Sequence, residues 1–453
     1  MANEVIEGRP RIGWLTWRDV QGKESEPYPA LLEDTGTVLR LRLPFPPGIP
    51  VENPLYRWWV EPVGLTSTSS GVSFAHKDVD RVPRLLRFFD NSGGVALVGC
   101  HRGGYRSSLG RDGGAEGWII VGFAVLGGGH DNYGALNAVR TESAGLRKWF
   151  GLTCFATRRI TDEQGRLESL TFEVSKTKPI RVGKRLNMTV NPSWTGKHGQ
   201  HHFEMDRPIY VETSVRKPRS WEEHLNEHEH LLELASLSAW LPFGFTEIAV
   251  ARDDDPQYVA PDWCESRKWN PVVTRRGFKA SPGIPDNPRF LFSFADIGTR
   301  GVGRWLTLSI QCPKAIEYMM RILRSGNTFD PAHVLSVGAM LEELAAYILT
   351  RQGKTSAQIK KTSYKQKMCV IVSDLPFVPF KNPDGWAKKI RDVYTSSKHA
   401  DGDDPDVLAR LEAIREGLLA ARIWIAHRLG ADTASLKHRA EHDPLGTPLE
   451  YVQ

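Results

Sequence analysis

The sequence predicts an α+β multidomain protein, with a β-rich N-terminal domain of sandwich or barrel-like form followed by a C-terminal α-helical bundle. Three observations lead there. Apolar residues in the first two-thirds recur with the period of two expected of half-buried strands, between Gly-, Pro- and Asp-rich turns. After about residue 310 the apolar spacing becomes helical. The chain has 453 residues and is 40% hydrophobic, enough for more than one domain with a real core. The expected division is 1–300 and 301–453.

Taken in order, TVLRLRL (37–43) alternates apolar and basic residues, so one face is buried and the other wet. VALVGC (95–100), WIIVGFAVL (118–126), LTFEVS (170–175), LNMTV (186–190) and IYVETSV (209–215) are further strands. Turns such as LPFPPGIP and RDGGAEG separate them. The stretch SWEEHLNEHEHLLELASLSAW (220–240) has helical spacing. FTEIAVA (245–251), RFLFSFA (289–295) and WLTLSI (305–310) are expected as strands around it. No internal repeat is present.

Beyond these, PKAIEYMMRILRSG (313–326) is a short helix closed by glycine. Asp330-Pro331 opens another, since aspartate caps free amides and proline suits a first turn. Its apolar residues are Leu335, Leu341, Leu344 and Ile348. SAQIKKTSYKQKMCVIV is a basic helix-like segment, and NPDGWAKKIRDVYTSSKH sets Trp386, Ile390 and Val393 on one stripe. Asp404-Pro405 starts a long helix to Gly430, with Leu411, Ile414, Leu418, Ile425 and Leu429 apolar. Short links between such helices make a bundle.

A formal charge of +6 over this length is a weak pointer to nucleic acid unless the charge is clustered. Cys100, Cys154, Cys264, Cys312 and Cys369 are odd in number and form no CxxC or metal spacing, which argues against a secreted disulfide framework. MANEVIEGRPRIGW lacks a signal-peptide pattern, and GWIIVGFAVLGGG (117–129) is too short and Gly-rich to span a bilayer. A soluble, cytoplasmic chain with no membrane partner is expected.

The stretch IRDVYTSSKHADGDDP (390–405) holds candidate chemistry. Arg391 and His399 are eight residues apart, about 80° on an ideal helix. A long arginine spans that angle, so both groups can meet one phosphate. Histidine titrates near neutrality and serves as acid or base, and guanidinium meets phosphorane charge with parallel donors. Such RNA cleavage needs no metal or organic cofactor.

An Arg-polar-His arrangement at the end of a bundle helix resembles a HEPN domain. YTSSKHAD, followed by an Asp-Pro start and RIWIAHRLG, is similar to the Apea-like HEPN group. Upstream, LRKWFGLT (146–153), a strand-rich stretch and SWEEHLNEHEHLLELA resemble the N-terminal domain of ApeA-type proteins. The resemblance implies an endoribonuclease of bacterial anti-phage defence acting by abortive infection. Its 2′-hydroxyl attack would leave a 2′,3′-cyclic phosphate. It further implies an RNA substrate, tRNA among the classes, a phage-derived trigger met by the front half, and a homodimer joined through the HEPN domains. His399 would move protons, Arg391 would stabilise the phosphorane, and Asp392, in the family's polar position, would hold the arginine or the helix in place. The family spaces arginine and histidine by four to six residues; here seven intervene.

Lys388, Lys389 and Lys398 are expected near the RNA, as are Lys360 and Lys361 within the basic run 351–367. Tyr394 stacks on a base, orients the phosphate, or packs against a neighbouring helix. Two other classes compete. The long Arg–His gap suits a catalytically silent HEPN module that binds RNA or protein. HLNEH (224–228) matches the HxxEH zinc-hydrolase pattern, though no third ligand is identifiable. The Gly-rich stretches at 101–114 and 127–134 lack a phosphate-loop pattern, leaving Arg102, Arg106 and Arg111 as candidate anion contacts.

Overall fold

The computed structural model describes residues 3–19, 21–46, 55, 58–59, 63–68, 71–76, 82–107, 114–128, 132–175, 177–199, 203–259, 264–275, 284–380, 382–398 and 406–446. His399, Arg111 and the Asp404-Pro405 helix start lie outside the described residues, as do parts of the LPFPPGIP and RDGGAEG turns. A large antiparallel β region is followed by C-terminal helices, the α+β architecture expected. The chain divides into two compact units.

The first unit comprises Met1–Arg140, Ser214–His224 and Glu247–Lys279. Ten of its strands form one antiparallel series: Glu247–Ala251, Asn270–Thr274, Phe123–Leu126, Gly93–Val98, Leu85–Asp90, Arg11–Thr16, Tyr28–Asp34, Leu39–Phe45, Ala115–Val121 and His101–Ser107. TVLRLRL behaves as its alternation requires. Leu39, Leu41 and Leu43 are fully buried with Leu15, Leu32, Phe88 and Leu97, each contributing about 1.5–3 kcal/mol. Arg40 and Arg42 face the other way and pair with Glu33 and Glu116 on the flanking strands. WIIVGFAVL is two strands, not one, because the chain crosses between them at Gly122. Buried Tyr133 donates to Asp255 at 2.6 Å and accepts from Asn270 at 2.6 Å. Lys268 reaches the same carboxylate at 3.2 Å.

The second unit comprises Thr141–Thr213, Leu225–Thr246 and Ala280–Gln453. Its helices are α1 (Ala144–Phe150), α2 (Trp221–Ala239, whose first turn falls in the first unit), α3 (Phe294–Gln311), α4 (Pro313–Arg324), α5 (His333–Arg351), α6 (Ser356–Lys361), α7 (Tyr364–Asp374), α8 (Pro383–Lys398), α9 (Val407–Leu429) and α10 (Thr433–Glu441). RFLFSFA and WLTLSI are not strands. Ser293 and Asp296 form a reciprocal capping box that starts α3, and the apolar residues of WLTLSI continue it. Val302, Trp305 and Leu308 are buried at helical spacing, while Ile310 is exposed. The helix breaks at Gly298, whose φ of +58° favours glycine, and then resumes. LNMTV also departs from expectation. Leu186 and Asn187 take left-handed φ of 51° and 47° in a single 3₁₀ turn, and the strand begins at Thr189.

Helix α5 is the one described helix long and apolar enough to cross a bilayer by length and composition. It lies at the centre of the helical unit, packed on α4, α7, α8 and α9. Leu341, Leu344 and Ile348 are buried there, whereas Leu335 faces solvent. Asp330 accepts from the Ala332 amide at 2.9 Å, two residues ahead of the first full turn. Trp386, Ile390 and Val393 of α8 are buried as one stripe. Gly430 closes α9 with a φ of +104°.

Candidate functional site

Helix α8 places the Arg391 side of the expected site. Its apolar stripe docks on the bundle, leaving Arg391 and Asp392 half-exposed. Arg391 Nε donates to Asp392 Oδ1 at 2.7 Å, and Nη2 donates to the same oxygen. The aspartate therefore holds the guanidinium of its own helix neighbour. His399 follows directly after the last described residue of α8, so the Arg391–His399 geometry lies outside the described residues.

The accompanying cations are dispersed. Lys389 is divided between Glu412 at 2.5 Å and Glu416 at 3.1 Å on α9. Lys388 and Lys398 are exposed, and Lys360 and Lys361 are exposed in the last turn of α6. Tyr394 packs against a neighbouring helix: its ring stacks on Tyr364 at 4.8 Å and fills the space left by the missing Cβ of Gly338. Lys398 Nζ sits 5.7 Å from the same ring centre. Burial raises the phenol pKa of both tyrosines.

The HLNEH side chains are engaged elsewhere. His228 hydrogen-bonds the Thr141 hydroxyl at 2.8 Å and the Thr213 hydroxyl at 2.9 Å, so both ring nitrogens are occupied. His224 is fully buried on the Leu136 carbonyl at 3.2 Å, and burial lowers its pKa. Glu227 pairs with Arg185 at 3.0 Å, with its carboxyl pKa raised by burial. Among the described residues no His/Cys/Asp/Glu group is arranged to hold a metal. The zinc-hydrolase reading fails because a ligand needs a ring-nitrogen lone pair that His228 has committed to the core. In the Gly-rich stretches, Arg102 donates to the Trp59 carbonyl at 2.8 Å, a structural contact.

The second unit holds a large concavity of about 1290 Å³ that no sequence motif marks. It lies between the Arg181–Arg185 segment, α3 and the end of α9, and also meets Tyr347 and Arg351 of α5. Seven cationic side chains line it: Arg181, Lys184, Arg185, Arg300, Arg304, Arg351 and Arg428; the lining carboxylate is Glu227. On α3, Arg300, Arg304, Thr307 and Gln311 recur at helical spacing on this wall. Arg304 Nη1 reaches the Leu429 carbonyl at 3.4 Å, at the negative end of α9. Arg428 pairs with Asp374, which also accepts from Trp424 Nε1 at 2.7 Å. Lys184, Arg300 and Arg351 have no carboxylate partner among the described residues. Such an excess of one sign in a recess concentrates polyanions.

His427 lines this cleft and is exposed. Four residues separate it from Arg422, a spacing within the HEPN range, yet the two side chains diverge by roughly 140° around α9. Arg422 turns inward and is fully buried. It donates from Nε to the Leu237 carbonyl at 2.7 Å and from Nη2 to the Ser238 carbonyl at 2.9 Å, satisfying the end of α2. A two-pronged pair to Asp443 at 2.6 and 2.8 Å completes its shell. The spacing in RIWIAHRLG was available in the sequence. The cleft was not, because its cations come from segments far apart in the chain, with Arg300 and Arg304 on a helix that the sequence did not suggest.

The fold and cleft thus define a two-unit α+β protein with a strongly basic recess in the helical unit. The family model for ApeA N-terminal domain 1 matches residues 57–305, more than half of the chain, and the chain belongs to that family. It is an ApeA-like anti-phage protein. No curated protein and no solved structure matches it.

Proposed function

We propose that this protein is a HEPN-type endoribonuclease of anti-phage defence, engaging RNA in the basic cleft of its helical unit. The observation that carries the reading is the cleft itself: seven cations against one carboxylate, with the exposed imidazole of His427 in its wall. Lysine and arginine there release counterions from a phosphate backbone, and the imidazole of His427 serves as the proton carrier. A base takes the ribose 2′-hydroxyl proton, and that oxygen bonds to phosphorus. The 5′-oxygen leaves with a proton from an acid, giving a 2′,3′-cyclic phosphate and a 5′-hydroxyl. Guanidinium groups of Arg300, Arg304 and Arg428 meet the charge of the phosphorane. A homodimer would bring a second histidine as the other proton carrier.

The test is RNA cleavage in EDTA by wild type beside His427→Ala, Arg391→Ala and His399→Ala. Loss in His427→Ala alone supports the cleft. Loss in the other two alone moves the chemistry to the end of α8, and equal cleavage by all four removes both assignments. The burial of Arg422 and the tether on Arg391 favour a second reading, a silent RNA-binding module. It predicts salt-sensitive binding with no fragments.

A further inference from the structure

The first unit holds a smaller recess of about 310 Å³, unconnected with the chemistry above. Its floor follows from the strand register: Thr16 pairs with Arg87, and Arg87 with Ala96. Their side chains share one sheet face, opposite the one that buries Leu15, Phe88 and Leu97. One wall is the hairpin that follows Thr16. There the Ser25 amide donates to the Trp17 carbonyl at 2.8 Å, the Trp17 amide donates to Ser25 Oγ at 3.1 Å, and Arg18 bridges to Glu24. Asp19 Oδ1 fixes its tip by accepting from the amides of Gln21 and Lys23 at 2.9 Å each. The Trp17 ring meets Trp58 edge-on at 5.1 Å, which holds it in place.

The chemistry of the recess is specific. Trp17 gives an aromatic surface, and Arg18, Arg84 and Arg87 give three guanidinium groups. Glu24 is the lining carboxylate, 4.0 Å from Arg87. Among the described residues, Arg87 Nε is buried with no hydrogen-bond partner, a donor awaiting an acceptor. An anionic ligand with a planar ring satisfies all of these at once. The volume is at the lower end of small-ligand sites, which run from about 300 Å³ upward, and suits one nucleotide unit rather than a strand.

We propose that this recess is a binding site for a nucleoside monophosphate. The base lies on Trp17, the phosphate accepts from Arg84 and Arg87, and Glu24 accepts from a ribose hydroxyl or an exocyclic amine. The site gives the β-sheet unit a small-molecule input of its own.

The experiment is calorimetric titration of the full chain with AMP, GMP, CMP and UMP, beside adenosine and inorganic phosphate. At least one mononucleotide binds, and adenosine and phosphate each bind at least about tenfold more weakly. Arg84→Met, at an exposed position, and Arg87→Lys, which keeps the charge but loses the fork, each weaken binding about tenfold. Arg300→Glu/Arg304→Glu, in the basic cleft, leaves it unchanged and loses only RNA binding. Absence of mononucleotide binding at millimolar concentration overturns the site. So does binding that survives both Arg84→Met and Arg87→Lys, or that disappears with the cleft double variant. Phosphate binding as tightly as nucleotide means a simple anion hole and overturns the role of Trp17.

Discussion

Arg422→Met would be among the most damaging single changes in the helical unit. The guanidinium and the Asp443 carboxylate are 1% and 2% exposed, so neither is appreciably hydrated. Methionine fills much of the same space but leaves a buried carboxylate unpaired, and the Leu237 and Ser238 carbonyls at the end of α2 lose their donors. Breaking a buried pair from one side costs about 3–5 kcal/mol. Removing the charge as well, in Arg422→Met/Asp443→Leu, restores most of that. A deficit of about 1–3 kcal/mol remains from the orphaned carbonyls and from the Leu445 amide, which donates to Asp443 at 2.9 Å. Urea unfolding followed by far-UV circular dichroism measures both variants. A single variant within about 1 kcal/mol of wild type would refute the reasoning, as would a double variant no more stable than the single.

Gly338→Ala sets a methyl 2.1 Å from a Tyr394 ring atom, so it destabilises by about 1–3 kcal/mol, and Tyr394→Leu in the same chain relieves it. An unchanged melting temperature in Gly338→Ala would contradict this. His224 has a folded-state pKa below the ordinary 6.5 because burial disfavours its charged form. Its contribution is full above about pH 6.5 and is lost as pH falls below that, because the unfolded chain takes up the proton first. Urea midpoints between pH 8 and 5.5 should fall with acid for wild type and less steeply for His224→Gln; equal slopes would count against it. In the cleft, Lys184→Gln, Arg300→Gln and Arg351→Gln should each lower the log–log salt slope of single-stranded RNA binding by about 0.7. Slopes identical to wild type would place the RNA elsewhere.

Much of the fold was legible wherever one periodicity spoke alone. Leu39, Leu41 and Leu43 alternate with arginines, and they are the core face of a strand. Trp386, Ile390 and Val393 have helical spacing, and they are the buried stripe of α8. Residues 305–310 misled because Leu306, Leu308 and Ile310 alternate over six residues, too short a run to separate strand from helix. The stronger signal was the Ser293…Asp296 capping box upstream. The candidate site was less legible. Arg391 and Asp392 are neighbours in sequence and pair on α8, but a cleft assembled from residues 181–185, 300–304, 351 and 427–428 is a tertiary fact that no local pattern carries. Arg422 shows the converse: a matching motif spacing cannot reveal which way each side chain turns.

The break at Gly298 has a bearing on which length changes this chain can accept. An inserted residue just ahead of it is taken up by an irregular joint, and the downstream turns stay in register. The same insertion between Gly298 and Arg304 would rotate everything beyond it by about 100°. Trp305 would swing off the His230 carbonyl, which it now meets at 2.6 Å, and the basic ridge would face its own hydrophobic interior. Natural variants should therefore tolerate indels on one side of this glycine and exclude them on the other.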